Sequence, residues 1–307
     1  MVLVANDLRT GTTCFQCHLV CDDETGVETD TELADHLRIL LLITGHVLQE
    51  LLRARTRDRT DIGDHLIAIH TDTVIREQSL SPDIAPAGSF LQDLQVSADG
   101  NTIVIADASF WRKSPAIIVY DVTTGEARRV LESHESVAAE DYMIRNGDRN
   151  MEFIGGIVAL RGGIYGIALG PDWLYYGALS GSGLYRVRLR DLRDSRLPPG
   201  QLANRVERYS DKPLSDGMSL DVDGNVYITD IEHSSVFRVN PERELKTLIQ
   251  SDNVRWADAL SFGPEGYLYL ADSALSELIL QSREHIDTQG PYRIFRFKPG
   301  VEGVPGQ

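Results

Sequence analysis

Leu214–Pro241, LSDGMSLDVDGNVYITDIEHSSVFRVNP, is the stretch on which the fold turns. Met218, Leu220 and Val222 alternate with polar residues, the period of a half-buried strand. Asp223-Gly224-Asn225 is turn chemistry, and Val226 and Ile228 then resume the alternation. Residues 232–235 make a second turn and 236–239 a third strand. The unit is a small meander that opens on Asp216. It cannot bury both its faces alone, so it needs copies of itself.

The chain supplies them. Asp93 opens DLQVSADGNTIVIADAS, and IIVYDVTTGEARRV (117–130) follows as a further hairpin. Tyr165 opens YGIALGPDWLYYGALSGSGLYRVRLRDL. Asp258 opens DALSFGPEGYLYLADSALS, with YRIFRFKPG (292–300) as its outer strand. The starts at 93, 165, 216 and 258 lie 72, 51 and 42 residues apart. The shortest spacing is that of a four-stranded blade, and the longer ones leave room for loops, of which Glu132–Ile154 is the largest. Repeats of this kind without intervening helices predict an all-β fold, a β-propeller, whose ring hides most sheet edges. A sandwich would not repeat the unit.

The remainder bounds partners and compartments. A net charge of −16 argues against nucleic acid and anionic membrane, which both need a local Lys/Arg excess. An acidic surface suits solubility, or a neutral or cationic ligand. The first twenty residues lack the basic and apolar regions of a signal peptide. The longest apolar run, Ile39–Ile43, is far short of the ~20 residues of a membrane span.

Residues 1–62 read as an atypical N-terminal segment, and 63–307 as the propeller domain. Cys14, Cys17, Cys21 and His18 have the residue types of a zinc site. One octapeptide would have to wrap the ion, so a loop with free thiols is the expectation. Thr29-Asp30-Thr31-Glu32 is a capping box ahead of an amphipathic helix over about residues 30–55.

FLQDLQVSADGNTIVIADAS, IIVYDVTTGEARRV, GIYGIALGPDWLYYGALSGSGLYRV, LSDGMSLDVDGNVYITD and WADALSFGPEGYLYLADSAL together resemble the major royal jelly protein / Yellow family. Within it they are similar to the bacterial dopachrome tautomerase-related proteins, over roughly residues 63–307. The resemblance implies a six-bladed propeller, often secreted, linked to pigment metabolism, to binding of small aromatic amines or to nutrient storage. The family begins with strand where residues 1–62 here read as loop and helix, which leaves the N-terminal part of the ring open to being incomplete. Gluconolactonase-type propellers share the Asp-Gly-Met and Gly-Ile-Ala-Leu strand starts but place a metal-binding asparagine where this chain has Tyr165, a poor ligand for a hard cation.

In a propeller the first residue of each innermost strand faces the channel mouth. Asp93, Asp216 and Asp258 are then expected to converge there with Tyr165. Three carboxylates in a narrow channel need a cation, a proton or a positive partner. One reading is a ligand site for a divalent metal or a cationic amine, with Tyr165 and Trp256 in aromatic contact. The other is that each Asp caps its strand by accepting from backbone amides. Tautomerisation of a dopachrome-like quinone would need a general base and acid, for which Asp216 and Tyr165 are the candidates. The alternatives are a non-catalytic scaffold presenting loops 132–154 and 276–291, and a gluconolactonase-like metal-dependent hydrolase. No metal ligands are assigned. Asp221-x-Asp223-Gly224 has its glycine too early for a calcium loop and reads as a hairpin turn.

Overall fold

A computed structural model describes residues 2–5, 63–68 and 73–307, with side chains for residues 78–307 except 264. Strands β1 (Val2–Ala5), β2 (Gly63–Ala68) and β3 (Thr73–Ser79) form one sheet, in which β1 runs parallel to β2. Blade 1 holds β4 (Leu91–Val96), β5 (Thr102–Asp107), β6 (Ala116–Asp121) and β7 (Ala127–Val130). Two short hairpins follow, β8 (Arg145–Asn146) with β9 (Arg149–Asn150), and β10 (Glu152–Phe153) with β11 (Val158–Ala159).

Blade 2 holds β12 (Ile164–Leu169), β13 (Trp173–Ala178), β14 (Gly183–Arg188) and β15 (Glu207–Asp211), with α1 (Leu189–Arg193) and α2 (Pro199–Ala203) ahead of its last strand. Blade 3 holds β16 (Met218–Leu220), β17 (Val226–Asp230), β18 (Ser235–Val239) and β19 (Leu245–Gln250). Blade 4 holds β20 (Ala257–Phe262), β21 (Leu268–Asp272) and β22 (Arg293–Phe297), with α3 (Leu275–Leu278) and α4 (Arg283–Thr288) before its outer strand. Each blade is an antiparallel meander in chain order.

The propeller expectation holds, but the blade count does not. The described residues form four blades, not six. Upstream of Asp93 they add a three-stranded sheet, and the parallel entry of β1 is a pairing that a meander does not make. The predicted helix over 30–55 and the cysteine cluster lie outside the described residues.

Blades bury both faces, so sequence neighbours pack against different blades. On β12, Ile167 packs with Val104 and Ile117 of blade 1, while Ala168 packs with Met218 and Ile228 of blade 3. On β17, Ile228 faces blade 2 and Tyr227 faces Leu260 and Leu270 of blade 4. This is the period-2 pleat put to use twice per strand.

Aspartates close the second strand of three blades. Asp107 accepts from Phe90 N and Ser109 N at 2.8 and 2.9 Å, and pairs with buried Arg129 at 2.7 Å. Asp272 accepts from Arg255 N and Trp256 N, both at 2.9 Å, and Asp230 accepts from Glu232 N at 3.0 Å. Residues 302–307 tie three blades together from below. Val304 N donates to Leu220 O and Phe262 N to Gln307 O, each at 2.9 Å, and the Gln307 amide donates to Gln95 Oε1.

Candidate functional site

The inner strands β12, β16 and β20 stand side by side because the residues after Tyr165, Asp216 and Asp258 are small, namely Gly166, Gly217 and Ala259, whereas Leu94 follows Asp93 on β4. A Cβ on Gly166 would lie 2.4 Å from Asp216 O, and one on Gly217 would lie 2.3 Å from Asp258 O. Only glycine permits backbones to approach so closely. Pairing registers slip between Leu91 and Asp93, between Ile164 and Ile167, and between Ala257 and Leu260. Such bulges re-aim side chains at the end of a strand. Here they occur beside Asp93, Tyr165 and Asp258.

The result is one cavity of about 120 Å³ lined by Asp93, Gln95, Tyr165, Asp216, Asp258 and Gln92, together with Gly217, Met218, Ala259 and Leu260. The four residues expected at the channel do converge there. No cationic side chain is among the lining residues. Asp216 is 5 % exposed and Tyr165 8 %, whereas Asp93 and Asp258 are half-buried because the cavity opens beside them.

The carboxyls are held differently. Asp93 accepts from Leu94 N at 2.7 Å and Ile167 N at 2.9 Å. It therefore does cap its strand, and it also bridges blades 1 and 2. Asp216 accepts from the indole Nε1 of Trp256 at 2.8 Å. Trp256 has no exposed surface. Expected as a ligand contact, it stands behind the wall and orients Asp216 instead. Thr229 Oγ1 holds Asp216 N and Gly217 N at 3.1 and 3.0 Å.

Electrostatics follow from that packing. Burial pushes Asp93 up to about 7 against its two amide bonds, and the Asp258 charge adds to the rise. Burial raises Asp216 well above the usual carboxylate range, with Asp258 and Asp93 adding to it and the Trp256 bond opposing. Asp258 is raised by burial, with Ser273 opposing and Asp272 adding. Burial, then Asp216 and Asp258, push the Tyr165 phenol well above its ordinary value, so it keeps its proton. Nearby, Lys212 is buried and donates to Ala178 O at 2.8 Å, Pro213 O at 3.0 Å and Ser215 Oγ at 3.0 Å, fixing the approach to Asp216. Its own burial lowers it to about 7.

Above this carboxyl layer the mouth is closed. Phe90, Leu214 and Trp256, each just ahead of an inner strand, pack with Tyr165 and with Ile144 and Met151 of the long insertion. The Phe90 and Tyr165 rings stack with centroids 6.5 Å apart. The cavity extends from the carboxyls along β4 and β20 toward Gln95 and Leu260, away from this apolar cap.

The sequence model of the major royal jelly protein family matches residues 65–284. The chain belongs to that family. No curated protein matches it. Solved structures similar to this major royal jelly protein-family chain include a gluconolactonase from Xanthomonas campestris, at 14% identity and a TM-score of 0.43 over 69% of this chain and 70% of that one. A luciferin-regenerating enzyme aligns at 11% identity and 0.47 over 76% and 70%. A streptogramin B lyase aligns at 13% identity and 0.42 over 66% of this chain, which spans 53% of that structure.

Several site residues escaped the sequence reading. Gln95 shares the strand face of Asp93 at i+2 and was legible by period. Gln92 enters the cavity through the bulge, and nothing local marks it. Among the described residues no group of three or more His, Cys, Asp or Glu side chains is arranged to hold a metal ion.

Proposed function

We propose that the carboxyl-lined channel binds a small cationic ligand, an aromatic amine being the class that suits it best. The observation that carries this reading is that Asp93, Asp216 and Asp258, from three blades, share one cavity whose lining includes no cation. Ionised together they repel, and an ammonium group would relieve that repulsion. The Tyr165 phenol stands beside them as an aromatic and hydrogen-bonding contact.

Calorimetry with phenethylamines, set against neutral phenols and divalent metals, tests the proposal. Amines should release heat at pH 8 and neutral phenols should not. Asp216→Asn, which keeps an acceptor for Trp256, should weaken binding at least tenfold. Silence from every amine would end the reading.

A second reading, tautomerisation of a dopachrome-like quinone, draws on Asp93 standing at about 7, where a carboxyl can take and return a proton near neutrality. Asp216 would serve as base above its raised pKa, and protonated Tyr165 as the donor. Loss of dopachrome absorbance, abolished by Tyr165→Phe, is the direct assay.

A further inference from the structure

A second cavity lies at the opposite end of β12 from Tyr165. It measures about 210 Å³ and is lined by Pro171, Asp172, Arg188, Leu189, Arg190 and Arg193. It shares no lining residue with the carboxyl cavity. Three arginines and one aspartate thus line one concavity in a chain whose net charge is −16. A cleft dominated by one sign of charge concentrates the opposite ion. The local acids leave that charge largely unmet. Asp172 makes no ion pair among the described residues. Arg193 donates from Nη2 to Asp99 at 2.7 Å and from Nε to Thr102 Oγ1 at 2.8 Å, which ties blade 2 to blade 1. Its other N–H groups remain for a ligand. Arg190 lies 3.9 Å from Asp191, but that buried carboxylate is held by Arg205.

Arg188 is the best oriented of the three. It stands opposite Trp173 in the β13–β14 pairing, with its guanidinium 4.2 Å from that ring's centroid. Arg186 lies over the same ring at 4.1 Å and over Tyr209 at 4.5 Å, and Arg243 lies over Tyr209 at 5.0 Å. This row of cations and rings holds one carboxylate, Glu207, which pairs with Arg186 at 2.8 Å and with Arg243 at 2.5 Å. The surplus charge is left at the Arg188 end, where no described carboxylate forms an ion pair. A stacked guanidinium is fixed in advance, so less freedom is lost when it binds. We infer that this cavity is an anion site, and that a phosphate monoester is the class it takes. A guanidinium presents five N–H donors in a planar fork. One fork fills a planar carboxylate, whereas a phosphate group points its oxygens in several directions and accepts from more than one arginine. A cavity of ~150 Å³ holds one benzene ring, so this one has room for the phosphate and a small organic part. The site does not rest on the amine channel.

Calorimetry with inorganic phosphate, in a phosphate-free buffer at low salt, tests the site. Arg188→Gln and Arg190→Gln should each weaken phosphate binding about tenfold or more, the loss expected of a charge-assisted bond. The Arg190 side chain is 76 % exposed, so its variant serves if Arg188→Gln fails to fold. Arg196 is 91 % exposed and outside the cavity. Arg196→Gln removes the same unit of charge and should change the affinity by less than about twofold, because exposed charges are screened. Acetate should bind about tenfold more weakly than phosphate, since it engages one fork only. Sedimentation with phosphatidic acid vesicles separates two sources of the phosphate group. Retention that Arg188→Gln abolishes assigns a lipid headgroup, and phosphate binding without retention assigns a soluble ester; either upholds the site. No heat with phosphate, or an equal loss in Arg196→Gln, overturns the site, and acetate binding as tightly as phosphate overturns the phosphate class.

Discussion

Gly217→Ala tests the geometry on which the site depends. Gly217 lies outside the left-handed region, so an added methyl meets only a problem of space. Its Cβ would stand 2.3 Å from Asp258 O, 2.9 Å from Ala259 Cα and 3.1 Å from Leu260 N. All three are main-chain atoms of β20, and no side chain can swing aside. Ordinary contact begins near 3.4 Å, so β16 and β20 must part by roughly 1 Å. Overpacking costs about 1–3 kcal/mol, and backbone against backbone belongs at the upper end. In a domain of this size each kcal/mol is ~2–4 °C of melting temperature, which places the loss at roughly 6–12 °C. Scanning calorimetry reads this directly. Gly200→Ala, in a helix and with nothing within 4 Å of the new methyl, is the control and should melt at or slightly above the parent, since alanine is the better helix former. A Gly217→Ala protein within 2 °C of that control would mean that the inner strands do not touch backbone to backbone. The convergence of Asp216 with Asp258 would fall with it.

Further outcomes follow from the electrostatics and the core. Asp93 has its folded pKa raised from 3.8 to about 7, so its contribution to stability is full below ~4 and is lost as pH rises through 7. The unliganded melting temperature should therefore fall across that window, and Asp216→Asn should flatten the slope, raising the melting temperature at pH 8 and barely changing it at pH 4. Amine affinity should run the opposite way, strengthening as pH rises through 7, since the ionised carboxyls are the binding form. Trp256→Phe removes the indole donor from Asp216, worth ~1.5–3 kcal/mol for a charged acceptor, and should move the pH midpoint of amine binding upward in calorimetric titrations. Arg129→Met strands buried Asp107 without its countercharge and should cost about 3–5 kcal/mol in denaturant unfolding.

The repeat and the four channel residues were written in local pattern. Alternation at period 2 and Asp-Gly turns act within ten residues, and Asp93, Tyr165, Asp216 and Asp258 follow from their place at strand starts. Other features join residues far apart in the chain. Trp256 reaches Asp216 across 40 positions, and Asn146 reaches Ile231 and Arg255 across 85 and 109. The bulges that turn Gln92 and Asp93 into one cavity are set by mismatched pairing between strands, which no single strand records. Blade number and the closure of the mouth likewise belong to the assembled ring. Side-chain period is a property of one strand's backbone, whereas access and charge coupling depend on which strands come to lie together.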